Sequence, residues 1–192
     1  MAHSWKDEGS EKEVFGGGHD EIKRLSMVEK TYTIRIVGNY KFFRQHWITK
    51  VNRSVICDGV NCPICTAGSK GGLRYVVNIL DRADGTLKLY EFGRRVKKAI
   101  EAIADLYGDP TKYDLIITRK GMKMEDTTYT VIPAREETPL TEAEVALPKY
   151  DLEKLYVITP KEKVEAFLRG ETTVAKGKDA EETVEADDLP TL

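Results

Sequence analysis

From Thr31 onward the chain alternates apolar and polar positions with a period near two, broken by turn residues at short intervals. Tyr32-Thr33-Ile34-Arg35-Ile36-Val37 is β-branched and aromatic and predicts a strand ending at Gly38-Asn39. Lys41 to Val51 predicts a second strand, with Phe42, Arg44, His46 and Ile48 on one face and Phe43, Gln45, Trp47 and Thr49 on the other. Leu73 to Asp81 and Thr86 to Phe92 flank Arg82-Ala83-Asp84-Gly85, and the Asp-Gly pair marks a hairpin turn. Tyr113 to Arg119 and Thr127 to Ile132 predict another pair. The period changes once in this region. Val96, Ile100, Ile103 and Tyr107 recur at helical spacing from Arg94, and Gly108-Asp109-Pro110 stops the helix. Short strands around one helix predict a small closed barrel, a fold that is mainly β with α additions.

The flanks read differently. Glu8 to Glu13 is polar, Gly16-Gly17-Gly18 is a flexible spacer, and Asp20 to Lys30 suits a short helix, so residues 1–30 are expected to form a flexible arm. After Pro133, Thr141 to Leu147 and Pro160 to Arg169 predict short helices, the second with Thr159 at the cap and Pro160 at the first helical position. Residues 135–170 are therefore a helical extension. Glu181, Glu182, Glu185, Asp187 and Asp188 have no basic residue among them, so 171–192 is expected to be an acidic, disordered tail. No run of about 18 apolar residues predicts a membrane span. Met1 to Ser10 has no apolar run after a basic start, so a cytoplasmic location is expected.

Composition changes this picture in one respect. With 192 residues, 41% apolar and 32% charged, the chain has the makeup of one globular domain with extensions, or two small ones. The net charge of −2 hides a segregation. Thr31 to Ala134 holds 17 basic and 10 acidic residues, net +7, whereas Arg135 to Leu192 holds 8 and 15, net −7. A basic middle with an acidic end fits a nucleic-acid binder with a regulatory tail, and equally a solvated surface with a disordered terminus.

The candidate chemistry is concentrated. All three cysteines, Cys57, Cys62 and Cys65, fall within nine residues, and His46 precedes them by eleven. Zinc takes four such donors in a tetrahedron, and a Cys-x2-Cys knuckle supplies two thiolates from one tight turn. A Cys3His set leaves no open position, so a structural zinc ion is expected, the alternative being three free thiols and an unrelated histidine. Thioredoxin-like redox chemistry at Cys62-Pro63-Ile64-Cys65 requires a strand-to-helix junction, whereas the polar, glycine-rich 66–72 follows. Zinc deamination requires His-x-Glu, and Trp47-Ile48 follows His46 instead. Gly68-Ser69-Lys70-Gly71 lacks the spacing of a nucleotide-hydrolysing loop. Asp81, Asp84, Asp105 and Asp109 are scattered carboxylates, and no nucleophile stands outside the cysteines, so no enzyme activity is expected.

Aromatic and basic residues interleave around this loop. Single-stranded nucleic acid needs rings on which unpaired bases stack and cations that follow the phosphates. Tyr40, Phe43, Trp47 and Tyr90 are the candidate rings; Lys41, Arg44, Arg53, Arg74, Arg94, Arg95 and Lys97 are the candidate cations. Strand alternation places about half of such rings outside any one core.

Gly38 to Trp47, then Cys57 and Cys62-Pro63-Ile64-Cys65, then Tyr75 to Asp81, Leu89 to Gly93 and Gly108 to Leu115 together resemble the core of phage single-stranded DNA-binding proteins of the T-even helix-destabilising type. The resemblance covers about half the chain. It implies a five-stranded OB-fold-like barrel over 31–134 with an inserted zinc subdomain at 46–72. It also implies zinc ligation by His46, Cys57, Cys62 and Cys65, and binding of single-stranded DNA in replication, recombination or repair. Asp187-Asp188-Leu189-Pro190 is similar to the acidic tip through which such proteins recruit replication or recombination partners, although Thr191-Leu192 stands where a terminal aromatic is usual. The competing expectation is a zinc-ribbon module that contacts a protein partner such as a transcription complex.

Overall fold

β1 runs unbroken from Thr31 to Ile48, where the sequence predicts two strands. Val37 lies opposite Asn78 and Tyr40 opposite Val77, so Gly38 and Asn39 are two extra residues in the ladder. Gly38 takes φ 78°, a backbone that glycine adopts without a Cβ clash. Two extra residues preserve the alternation, so Ile34, Ile36 and Tyr40 keep to one side of the sheet. This computed structural model describes residues 22–121, 125–136 and 138–171.

After a 3-10 turn at Thr49–Val51 the chain returns as β2, Arg53–Cys57, paired with the end of β1. α1, Pro63–Thr66, leads to β3, Gly72–Asp81, and β4, Thr86–Gly93, with Gly85 at φ 66° in the predicted turn. α2, Arg94–Tyr107, follows the predicted bounds. β5, Asp114–Lys120, and β6, Thr128–Pro133, complete a six-stranded antiparallel sheet in the order β4-β3-β1-β5-β6, with β2 on β1.

The sheet is open where the sequence predicts a closed five-stranded barrel: among the described residues no ladder joins β4 to β6. The free edge of β4 has another partner. Leu25 N donates to Leu89 O, and Leu89 N donates to Lys23 O, at 2.9 Å each. Residues 22–30, expected to suit a short helix within a flexible arm, form no helix and are pinned here through a bridge at Arg24; Arg119 donates to Met27 O at the far side.

Two cores flank the sheet. Ile34, Ile36, Val77, Ile79, Tyr90, Phe92, Leu115 and Ile117 pack under Val96, Ile100 and Ile103 of α2. The opposite face carries Val37, Phe43, Val76, Leu80 and Leu89, covered by Tyr150, Leu152 and Tyr156. The 135–170 segment is thus bound to the sheet, with α3 at Glu142–Val145, α4 at Leu152–Leu155 and α5 at Lys161–Arg169. Asn78 clamps it through paired bonds of 3.0 Å to the Tyr150 backbone N and O. Asp114 accepts from Arg35 at 2.6 Å and from Arg82 at 3.0 Å, and both guanidinium groups donate to Thr138 O. Pro160, expected at the first turn of α5, occupies its N-cap; the expected cap, Thr159, instead accepts from Ile56 N at 3.0 Å and ties this segment to β2.

A candidate metal centre and a basic cleft

The end of β1, the end of β2 and α1 bring four donors together. Antiparallel pairing sets His46 opposite Val55, two positions before Cys57. Asp58 Oδ1 then accepts from Val60 N and Asn61 N at 2.9 and 3.1 Å, turning the chain. Cys62 is the N-cap of α1, Pro63 follows at its first position, and Thr66 N returns to Cys62 O at 3.0 Å. That turn places Cys65 beside Cys62.

The donor atoms of His46, Cys57, Cys62 and Cys65 all lie within 4.8 Å of one another. His46 Nε2 is 3.1 Å from Cys65 Sγ, and the Cys57 and Cys65 sulfurs are 3.8 Å apart. Bonds of about 2.3 Å at tetrahedral angles separate two thiolate sulfurs by about 3.8 Å. The predicted quartet is therefore a buried cluster at metal-binding distance. Burial pushes the Cys57 thiol up to about 12, reinforced by its bond to Cys65. Burial, then the Arg44 charge, lowers His46, which keeps its imidazole neutral with a lone pair to donate. Gly71 closes the site: a Cβ there would stand 2.9 Å from Gln45 O and 3.0 Å from His46 Nε2. Ile48, Val51 and Val55 support the loop against Val164 and Phe167 of α5.

The second feature lies at the open seam. A cleft of about 780 Å³ runs between β4, the start of α2, the 24–27 segment and the β5–β6 hairpin. Arg24, Arg74, Arg94, Arg95 and Arg119 line it with Tyr90, Phe92 and Tyr129. Its one carboxylate is committed: Glu91 accepts from Tyr156 Oη at 2.5 Å and lies 3.6 Å from Arg24. Among the described residues, the buried side-chain polar atoms without a partner are Arg74 Nε, Tyr90 Oη and Arg119 Nε, and all three residues line this cleft. Burial raises the Tyr90 hydroxyl well above its ordinary value, so it remains a donor.

Of the predicted contacts, the cations Arg74, Arg94 and Arg95 meet here; Tyr90 lies in the cleft floor, but its ring is buried in the core and cannot stack a base, and the others lie elsewhere. Phe43 is 6% exposed, with its ring 4.9 Å from Tyr156, and is a core residue unable to stack a base. Lys41 is buried and paired with Glu153 at 2.5 Å. Lys97 is buried too, 4.6 Å from the Tyr40 ring centre and 2.5 Å from Glu101. Tyr40 is half-buried against Tyr75. Arg44 lines a separate groove of about 510 Å³ beside Cys57. Trp47 and Arg53 are exposed on the β1–β2 hairpin. Asp187, Asp188, Leu189 and Pro190 lie outside the described residues. Sequence reasoning missed Arg24, Arg119 and Tyr129. The sequence placed the latter two on paired strands but not in register: the predicted bounds set Arg119 opposite Thr127, whereas the fold sets it opposite Tyr129.

Compared with known family models, curated proteins and solved structures, the chain matches none. Among the described residues no helix is long and apolar enough to cross a membrane.

Proposed function

We propose that this protein binds single-stranded DNA without sequence preference, using the cleft at the open seam, and that a structural zinc ion occupies the Cys3His cluster. The observation that carries this reading is the composition of that cleft: five arginines and the exposed ring of Tyr129 around one committed carboxylate, above a buried floor of Tyr90 and Phe92. Cations draw the phosphates, while the Tyr129 ring offers stacking that only an unpaired base can take, a stacked base contributing about 1–3 kcal/mol. Binding then lowers the free energy of a melted strand relative to the duplex. The charge pattern and the resemblance to phage single-strand binders support the same reading, with the open sheet taken as an OB-type barrel unclosed at the cleft.

The zinc loop has a supporting role: its four ligands saturate the ion, leaving no position for a substrate. The ion would fix the β1–β2 hairpin on which Trp47 and Arg53 stand. The acidic 171–192 tail is the segment through which replication or recombination proteins are engaged. Fluorescence titration with oligo-dT tests the reading. Log affinity should fall with log salt at about −0.7 per phosphate engaged, and duplex of the same length should compete poorly. Equal affinity for duplex and single strand, or a slope near zero, refutes it.

A further inference from the structure

The start of α2 is electrostatically unusual. Its N-cap is Gly93, with no side-chain acceptor for the first amides and no acidic residue in the first turn. The residues that occupy that turn are Arg94 and Arg95, cations at the positive end of the helix dipole. A third cation joins them. Arg74 pairs with Gly93 across β3 and β4, and a Cβ on Gly93 would lie 3.7 Å from Arg74 Nη1. The helix dipole and three guanidinium groups therefore converge on one end of the cleft, and Glu91, the acid lining it, is taken by Tyr156 and Arg24. Such a cluster repels itself until an anion enters.

The floor of the cleft supplies an independent sign of a missing acceptor. Tyr90 is 1% exposed, stacked on Phe92 at 5.0 Å, and its Oη has no partner among the described residues. Arg74 Nε, also buried, has none either. Unpartnered buried donors are rare because each forfeits a hydrogen bond that water would have made. A ligand with several acceptor oxygens and negative charge answers both observations together.

We infer that the N-terminus of α2, with Arg74, Arg94, Arg95 and Tyr90, is a phosphate-binding subsite that fixes one phosphate of the bound strand. This rests on the single-strand reading and adds to it a defined register point: one phosphate is held by backbone amides and guanidinium groups, while neighbouring nucleotides remain interchangeable.

Gly93→Asp is the decisive variant. Gly93 has φ −98° and ψ 179°, an extended backbone open to any residue, and its Cβ direction meets Arg74 at ordinary contact distance. The new carboxylate would cap α2, pair with Arg74 and occupy the subsite from within. The full-length variant should keep or raise its melting temperature while losing about tenfold or more in oligo-dT affinity, with a salt slope shallower by about 0.7. The loss should be equal on oligo-dT, oligo-dA and oligo-dC. In the wild type, inorganic phosphate should shift the Arg94, Arg95 and Val96 amide resonances saturably, and Gly93→Asp should abolish those shifts. Comparing 5′-phosphorylated with 5′-hydroxyl oligonucleotides assigns the source: equal affinity supports an internal linkage, and preference for the phosphorylated strand supports a terminal phosphate.

The inference is overturned if oligo-dT binds the wild type but phosphate moves none of those amides, or if Gly93→Asp binds oligo-dT unchanged. A loss confined to one base also overturns it, since the subsite would then be reading a base edge. If phosphate saturates these amides but oligo-dT does not bind the wild type, the subsite stands and the single-strand reading falls.

Discussion

Removing the zinc ion proposed for the Cys3His cluster should melt one loop and leave the sheet. Residues 58–70 contribute little to any core: α1 buries no side chain, and Ile64 packs only partly against the Ile48–Val55 cluster. The Asp58 and Cys62 turns hold the loop locally, and the proposed ion would add four ligand bonds from His46, Cys57, Cys62 and Cys65. The sheet, by contrast, has its own cores on both faces. At free zinc about 100 to 1,000 times its dissociation constant, the ion adds about 2.7–4.1 kcal/mol by mass action. For a domain of this size 1 kcal/mol moves the melting temperature by about 2–4 °C, so a chelator should lower it by about 5–16 °C. Hydrogen exchange should show protection lost at 58–70 and in the adjoining part of β2, with β3, β4 and β5 retaining theirs. Elemental analysis should find one zinc per chain before treatment and none after. Finding no zinc in the untreated protein would refute the reasoning, as would an unmoved melting temperature after the zinc is released, or collapse of the whole sheet.

Other expectations follow from the same geometry. Because burial holds the Cys57 thiol protonated up to about 12 in the metal-free state, a cation must displace that proton. Apparent zinc affinity should therefore rise at least about tenfold per pH unit between pH 6 and 8, measured by competition with a chromogenic chelator. The raised folded value also gives the metal-free protein a contribution to stability that is complete below the ordinary thiol value of 9.0 and lost as pH climbs toward about 12, readable in denaturant midpoints. Gly71→Ala pushes a methyl into Gln45 O and the His46 ring, so it should cost about 1–3 kcal/mol and weaken zinc binding, whereas Gly72→Ala, whose nearest neighbour is 4.0 Å away, should be mild. Asp114→Ala strands the buried Arg35 beside Arg82 and should cost about 3–5 kcal/mol in urea denaturation. Trp47, 61% exposed, tests the extent of the DNA path: Trp47→Ala should change stability by less than about 0.5 kcal/mol, and a fall in oligo-dT affinity would extend the path onto the metal hairpin.

The residues that could be read from sequence act through near neighbours. Cys57, Cys62 and Cys65 lie within nine positions, and their spacing alone constrains how the thiols converge. α2 carries its apolar stripe and its stop within one segment, and Asp84-Gly85 makes its hairpin locally. Alternation likewise showed that strand residues face two ways. What it left open was which face is covered. Phe43 reads as an exposed ring until Tyr156, 113 residues later, packs onto it. Tyr90 reads the same way and lies in the floor of the cleft because β4 turns that side toward α2. The cleft itself is wholly tertiary. Arg24, Arg74, Arg94 and Arg119 are far apart in the chain and meet because residues 23–25 take the edge of β4 that a closed barrel would have given to β6. A hydrophobic pattern records local preference at each position. Which of two free edges a strand finds depends on the free energies of competing long-range pairings, and only the folded chain decides between them.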